Sequence, residues 1–332
     1  MNALLHVLAP FQGAAVALLG YLVTAVWMGL AIVALAALLL RLWKPLDAAS
    51  RYAVWYVALI AVVLGPLVTT FAIAHVRVEH VSPAASATLA TAGVAARAAE
   101  HAATVFCPWN SRWQIPISPW IAYGAALVWL IAVLGGAMRF LAGALVLSRL
   151  KRDALPLAPE RRAALPLWRT HASAAGARHA RLCVSDRVEV PAAVGLFDGM
   201  VLLPKHVVDH FEPSDVDRFV LHELAHLERR DDWTAVVQRL IQIVMFFNPA
   251  VHVIARRLDL EREIACDDRV VTATSDVRSY AVGLTRMAES TAWPHRGIAA
   301  PAIFVTRRQL SVRVEELLTH RRTAARRIAI AP

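Results

Sequence analysis

The sequence predicts a mainly α membrane protein: three N-terminal transmembrane helices, with a fourth as an alternative, and then a cytoplasmic α+β domain containing a small β-hairpin. Three observations carry this reading. Residues 1–40 contain no Asp, Glu, Lys or Arg. Further apolar stretches of spanning length follow before residue 140. Beyond them, His222-Glu223-Leu224-Ala225-His226 sets two imidazoles and a carboxylate in a segment with helical periodicity. The chain is 58% hydrophobic, more than a soluble domain of its 332 residues carries.

The first span is Ala14–Leu40, longer than the ~20 residues a helix needs to cross a bilayer. No basic segment precedes it, so a cleaved signal peptide is not expected. The second is Ala53–His75, with a kink at Pro66 that neighbouring helices tolerate. The third is Pro119–Met138, opened by Trp113, Trp120 and Tyr123 as an interfacial aromatic belt. These spans and the loop 76–118 make residues 1–148 the membrane region.

Arginine and lysine asymmetry orients it. Arg41, Lys44 and Arg51 follow the first span, and Arg149, Lys151, Arg152, Arg161 and Arg162 follow the third. The N-terminus is therefore expected outside, the loop 41–52 inside, 76–118 outside, and everything from about 149 inside. The net charge of +10 belongs to this cytoplasmic side, where it meets anionic lipid. No aromatic-interleaved basic strand or recognition helix is present, so direct nucleic-acid binding is not expected. Cys107, Cys183 and Cys266 form no disulfide framework.

Residues 149–320 form the predicted cytoplasmic domain, and 321–332 a basic tail that reads as the flank of a further span. A connector with one short helix leads to Arg181–Pro204, read as two strands and a tight turn around Pro191, Gly195 and Gly199. An exposed edge there suits an extended peptide. Ser214, with Asp217 three residues on, is the expected cap of the next helix, which ends near Arg229–Asp232. Trp233–Phe247 is an apolar helix, read as buried or membrane-contacting, or as the fourth span. Asn248-Pro249 opens the helix after it.

Histidines four apart share one helix face and one Zn2+ ion, and the intervening Glu223 reaches the water on that ion. Zinc makes the water nucleophilic near neutral pH. Peptide hydrolysis is the expected chemistry, with His222 and His226 as ligands and Glu223 as general base. A third ligand is required. Glu263 is the choice, with Glu261, Asp259 and His252 as competitors. Asp267 is placed to hydrogen-bond a ligand histidine. Tyr280 is read either as a stabiliser of the reaction intermediate or as a core tyrosine.

HELAHLERRD followed by FFNPAVHVIARRLDLEREIACD resembles the BlaR/MecR family of membrane metallopeptidases, the antirepressor sensor-transducers of β-lactam resistance. The hairpin VEVPAAVGLFDGMVLLP adds to the likeness. The resemblance implies a gluzincin-like domain with one zinc held by His222, His226 and Glu263, and Cys266 as a packing residue. It implies a multi-pass protein of a bacterial inner membrane that cleaves a cytoplasmic regulator, a DNA-binding repressor. It matches a short form, without the penicillin-binding sensor domain and fourth span of the sensor members; a chain cut before them is the other reading. The S-x-x-K match at Ser148–Lys151 has no partner motifs and is read as chance. Two other functions stay open: a quality-control or prenyl-protein type membrane zinc protease, and a non-catalytic signalling scaffold with a vestigial site.

Overall fold

A computed structural model describes residues 9–43, 46–79, 103–106, 114–172, 180–290 and 307–319. The basic tail 321–332, Cys107 and Trp113 lie outside them.

A single-turn 3-10 segment leads into α1 (Gln12–Leu42), which runs unbroken and holds no proline. α2 (Ala48–Glu79) carries Pro66 inside it, and Thr69 Oγ1 donates to the Pro66 carbonyl at 3.0 Å. A two-stranded antiparallel pair, β1 (Ala103–Phe106) and β2 (Gln114–Ile117), precedes α3. α3 (Pro119–Asp153) continues well past the predicted end of the third span. α1, α3 and the first 22 residues of α2 are, among the described residues, long and apolar enough to cross a membrane.

The short elements that follow differ from expectation. The connector holds a two-residue strand β3 (Leu155–Pro156) and two short helices, α4 (Pro159–Ala163) and α5 (Pro166–His171). Three more strands follow: β4 (Arg181–Ser185), β5 (Ala192–Val194) and β6 (Met200–Pro204). The sheet order is β3-β4-β6-β5. β5 and β6 form the antiparallel hairpin, while β4 runs parallel to β6 in the register Arg181↔Met200. The predicted hairpin is thus one edge of a mixed sheet, and β5 is the edge strand. β6 is buried along its length, as its unbroken apolar run MVLLP requires.

Helices then continue: α6 (Lys205–His210), α7 (Pro213–Arg229), α8 (Asp231–Val244), α9 (Pro249–Thr274), α10 (Val277–Ser290) and α11 (Arg307–Thr319). α7 starts with Pro213 at its first turn and Glu212 as the extended preceding residue, without a side-chain cap. The expected Ser214 and Asp217 capping pair does not form. Asp217 instead accepts from the Leu167 and Trp168 amides at 2.7 and 3.0 Å, capping the buried start of α5 from outside. Those amides have no partner in their own helix, so the carboxylate is better used there. Asn248 does cap α9, its Oδ1 accepting from Ala250 N at 3.0 Å.

The chain divides into two compact units. One comprises Met1–Leu46, Ala53–Met138 and Leu240–Arg256; the other comprises Asp47–Tyr52, Arg139–Arg239 and Arg257–Pro332. In the second unit Val216, Val220, Leu224 and Leu227 line one face of α7 and bury it against Val201 and Leu203 of β6 and Tyr280 and Leu284 of α10. The start of α2, Asp47–Tyr52, belongs to this unit: Ala48 packs on Ile264 and Ala265, and Arg51 Nε meets Glu261 Oε2 at 2.7 Å.

Candidate metal centre

The face of α7 beside its core stripe carries His222 and His226. One helical turn separates them, and their rings stand 5.0 Å apart at 83°. α9 supplies Glu263. Its Oε2 lies 3.5 Å from His222 Nε2 and its Oε1 3.6 Å from His226 Nε2. The three donors lie within 4.8 Å of one another. A tetrahedral zinc with bonds of about 2.0–2.1 Å separates its ligand atoms by roughly 3.4 Å. The spacing and the donor set, two imidazoles and a carboxylate, fit that ion.

Each imidazole has a carboxylate behind it. Asp267, one turn beyond Glu263, places Oδ1 3.1 Å from His222 Nδ1. Asp231 places Oδ2 2.9 Å from His226 Nδ1. Asp231 is only five residues from His226 and reaches back because Arg230 ends α7 in the left-handed conformation, φ 58°. The sequence reading did not include Asp231. The acidic pair Asp231-Asp232 at the end of the zinc-motif helix was its visible signal.

The other unanticipated residue is Arg313 of α11. It is 4% exposed and spends its whole guanidinium on the site. Nε and Nη2 meet the two Asp267 oxygens at 2.7 Å each. Nη1 meets Glu263 Oε2 at 2.9 Å. Its signal in the sequence was a charge on an otherwise apolar helix face, among Leu310, Val314 and Leu317, which pack into the core.

Tyr280 is fully buried behind His222. Its hydroxyl donates to Asp267 Oδ1 at 2.7 Å and lies 3.0 Å from His222 Nδ1. It therefore faces the carboxylate and not the converging donor atoms. Cys266 is also fully buried, its Sγ 3.3 Å from His226 Nδ1, and burial pushes its thiol pKa well up. A thiol kept protonated is no nucleophile. The competitors for the third ligand are engaged elsewhere: Glu261 with Arg51, Asp259 with Arg262 and Gln238, and His252 with the Phe246 carbonyl.

The electrostatics suit a cation. Burial alone would push the His222 imidazole down, but the hydrogen bonds to Asp267 and Glu263 outweigh it and lift its pKa to about 10. Burial opposes ionisation of Glu263, yet Arg313 and the two imidazoles hold its carboxyl far below the usual range. Asp267, also buried, is held at about 2 by Arg313 and His222. Both carboxylates stay charged, and the proton on His222 occupies the place a metal would take.

Glu223 stands apart from this trio. Its Oε2 accepts from the Ala193 amide at 2.6 Å. Ala193 lies on β5, so the carboxylate is tied to the free edge of the sheet. Gly195 shapes the turn after β5 with φ 135°; a Cβ there would clash with the Asp198 carbonyl oxygen. Ser148 and Lys151, the chance S-x-x-K pair, donate to the carbonyls of Leu145 and Asp198.

Comparison with known proteins identifies the family. Over 94 residues, 28% of this chain, it is 26% identical to the methicillin resistance mecR1 protein of Staphylococcus aureus. Over 87 residues it is 31% identical to the regulatory protein BlaR1 of Bacillus licheniformis, and over 144 residues 21% identical to BlaR1 of Staphylococcus aureus. These matches span 16%, 14% and 24% of those relatives' own lengths. The model of the BlaR1 peptidase M56 family matches residues 16–317, nearly the whole chain, and with three membrane-length helices ahead of the HExxH helix this protein belongs to that family of membrane metallopeptidases.

Proposed function

We propose that this protein is a zinc endopeptidase of the bacterial inner membrane that acts in signal transduction by cutting a cytoplasmic regulator, a DNA-binding repressor. The observation that carries the chemistry is the convergence of His222, His226 and Glu263, with Glu223 on the same helix as the two histidines and hydrogen-bonded to an edge strand. The repressor is what the resemblance of the sequence to the BlaR/MecR family implies; the relatives themselves are named as regulatory and resistance proteins. The Arg/Lys distribution supports an external N-terminus and a cytoplasmic peptidase domain.

In this reading His222, His226 and Glu263 hold one zinc ion, with Asp267 and Asp231 fixing the two rings through Nδ1. Zinc bound there would lower the pKa of water and polarise the scissile carbonyl. The free edge of β5 receives the substrate backbone in extended form. Glu223, with Oε2 held by Ala193, uses Oε1 to take the proton of the attacking water and passes it to the leaving amine. Tyr280 keeps Asp267 oriented toward His222.

The test pairs the wild-type chain with Glu223→Gln, each expressed in full with the repressor-like protein encoded nearest its gene. Wild type yields repressor fragments on immunoblot; the variant retains stoichiometric zinc by elemental mass spectrometry and yields none. Cleavage at the wild-type rate by the variant refutes the mechanism.

A further inference from the structure

The segment between α8 and α9 is unusual for its company. Residues 240–255 read LIQIVMFFNPAVHVIA, with Arg239 before them and Arg256-Arg257 after them. The segment belongs to the same compact unit as residues 12–42 and 119–138. Its contacts there lie near the middles of the two membrane-length helices α1 and α3, not at their ends. Asn248 is fully buried and its Nδ2 donates to the Ala25 carbonyl of α1 at 2.9 Å. Tyr21 of α1 donates to Met245 Sδ at 3.6 Å. Trp129 of α3 donates from Nε1 to the Val244 carbonyl at 3.0 Å.

Close backbone approach is built in at the same level. A Cβ on Gly29 of α1 would lie 3.0 Å from Ala250 Cβ and 3.1 Å from Asn248 Nδ2. A Cβ on Gly136 of α3 would lie 2.9 Å from an Ile243 methyl. Met245, Ala250, Val251 and Ile254 are buried by these contacts, while Leu240, Val244, Phe246 and Val253 remain exposed at 39–46%.

We infer that residues 240–255 form a re-entrant hairpin that enters the bilayer from the cytoplasmic face, turns at Asn248-Pro249 near mid-depth and returns to the same face, with Leu240, Val244, Phe246 and Val253 against lipid acyl chains. Four physical points agree. The stretch is shorter than the ~20 residues a spanning helix needs. It is broken at its centre: α8 ends at Val244, and Pro249 starts α9. Arginines flank it on both sides, as expected when both limbs leave the bilayer on the positively flanked face. Irregular backbone at bilayer depth must be satisfied by protein, and here Asn248 does this from both ends of its side chain, accepting from Ala250 N and donating to Ala25 O. The occupant of the exposed apolar face is lipid because the helices that flank it are themselves the spanning ones. This inference does not depend on the zinc chemistry.

The test uses the unmodified full-length chain in phosphatidylethanolamine/phosphatidylglycerol vesicles containing a lipid with a diazirine at mid-acyl chain. After photolysis, peptide mapping should find lipid adducts within 240–255 as well as within the three spans. Adducts confined to 12–42, 53–75 and 119–138 overturn the hairpin, and so do chain-to-chain crosslinks at Phe246 in place of lipid adducts, which would make a second copy the occupant. A second measurement reads depth. Phe246→Cys and Val253→Cys, one on each limb, carry a nitroxide in a Cys107→Ser background. Each should collide with dissolved oxygen severalfold more, relative to a nickel chelate, than a label at Glu289→Cys in water. Equal ratios at all three positions refute the inference.

Discussion

Arg313 leaves no donor facing solvent: its guanidinium is divided between Asp267 and Glu263. Removing it would strand the buried Asp267 carboxylate and leave Glu263 without its cation, a loss that runs to roughly 3–5 kcal/mol when one partner of a buried pair is deleted. Arg313→Ala should therefore lower the thermal midpoint and weaken zinc binding in a chelator competition. Arg313→Lys should restore part of the stability but not the affinity, because an ammonium cannot make the bidentate contact. Asp231→Asn and Asp267→Asn should each weaken zinc about 10–100-fold, the usual cost of losing a carboxylate behind a ligand histidine. Proton linkage gives an independent check. His222 in the metal-free protein holds its proton up to a pKa of about 10, so zinc must displace it. One proton should appear per zinc bound in weakly buffered titrations from about pH 7 to 9, with affinity rising about tenfold per pH unit. The metal-free fold should respond in the opposite sense: the raised pKa stabilises it at neutral pH and below, and that contribution fades as pH climbs toward about 10.

At the level of elements, two backbone corners aim the chemistry. Arg230 takes a left-handed φ so that Asp231 folds back under His226. Arg230→Gly should preserve both stability and zinc, whereas Arg230→Val should cost about 1–2 kcal/mol in a denaturant titration, because a β-branched residue resists that conformation. Gly195 turns the chain after β5, and any side chain there meets the Asp198 carbonyl. Gly195→Ala should shift β5 and with it the Ala193 amide that holds Glu223. The expected outcome is zinc retained but substrate cleavage reduced, read by metal analysis beside a peptide assay. Loss of zinc in this variant would mean that the turn supports α7 itself.

For the whole molecule, the peptidase unit is assembled from distant pieces of chain. The start of α2 packs on α9 through Ala48 and Arg51, and α11 closes the site through Arg313. Truncation after residue 306 should therefore abolish stoichiometric zinc while leaving the three spans inserted, as measured by metal analysis of membrane fractions. The orientation rests on charge. A single cysteine in the loop 41–52 should be labelled by an impermeant maleimide only in inverted vesicles, and labelling from the periplasmic side would reverse the topology.

The sequence by itself determined what is local. Uninterrupted apolar length marked the three membrane helices, and the four-residue spacing of His222 and His226 marked one helix face, because the α-helical period makes both properties of neighbouring residues. Asn248-Pro249 announced the start of α9 for the same reason. Tertiary structure alone decided which distant groups meet. Periodicity placed Asp217 at a helix start but not against the amides of α5. It showed strands at 181–204 but not that β4 would run parallel to β6. It showed an arginine on the apolar face of α11 but not the carboxylates that justify burying it. A charge can enter a core only where its partner already stands, and that partner, Asp267, lies 46 residues away in the chain.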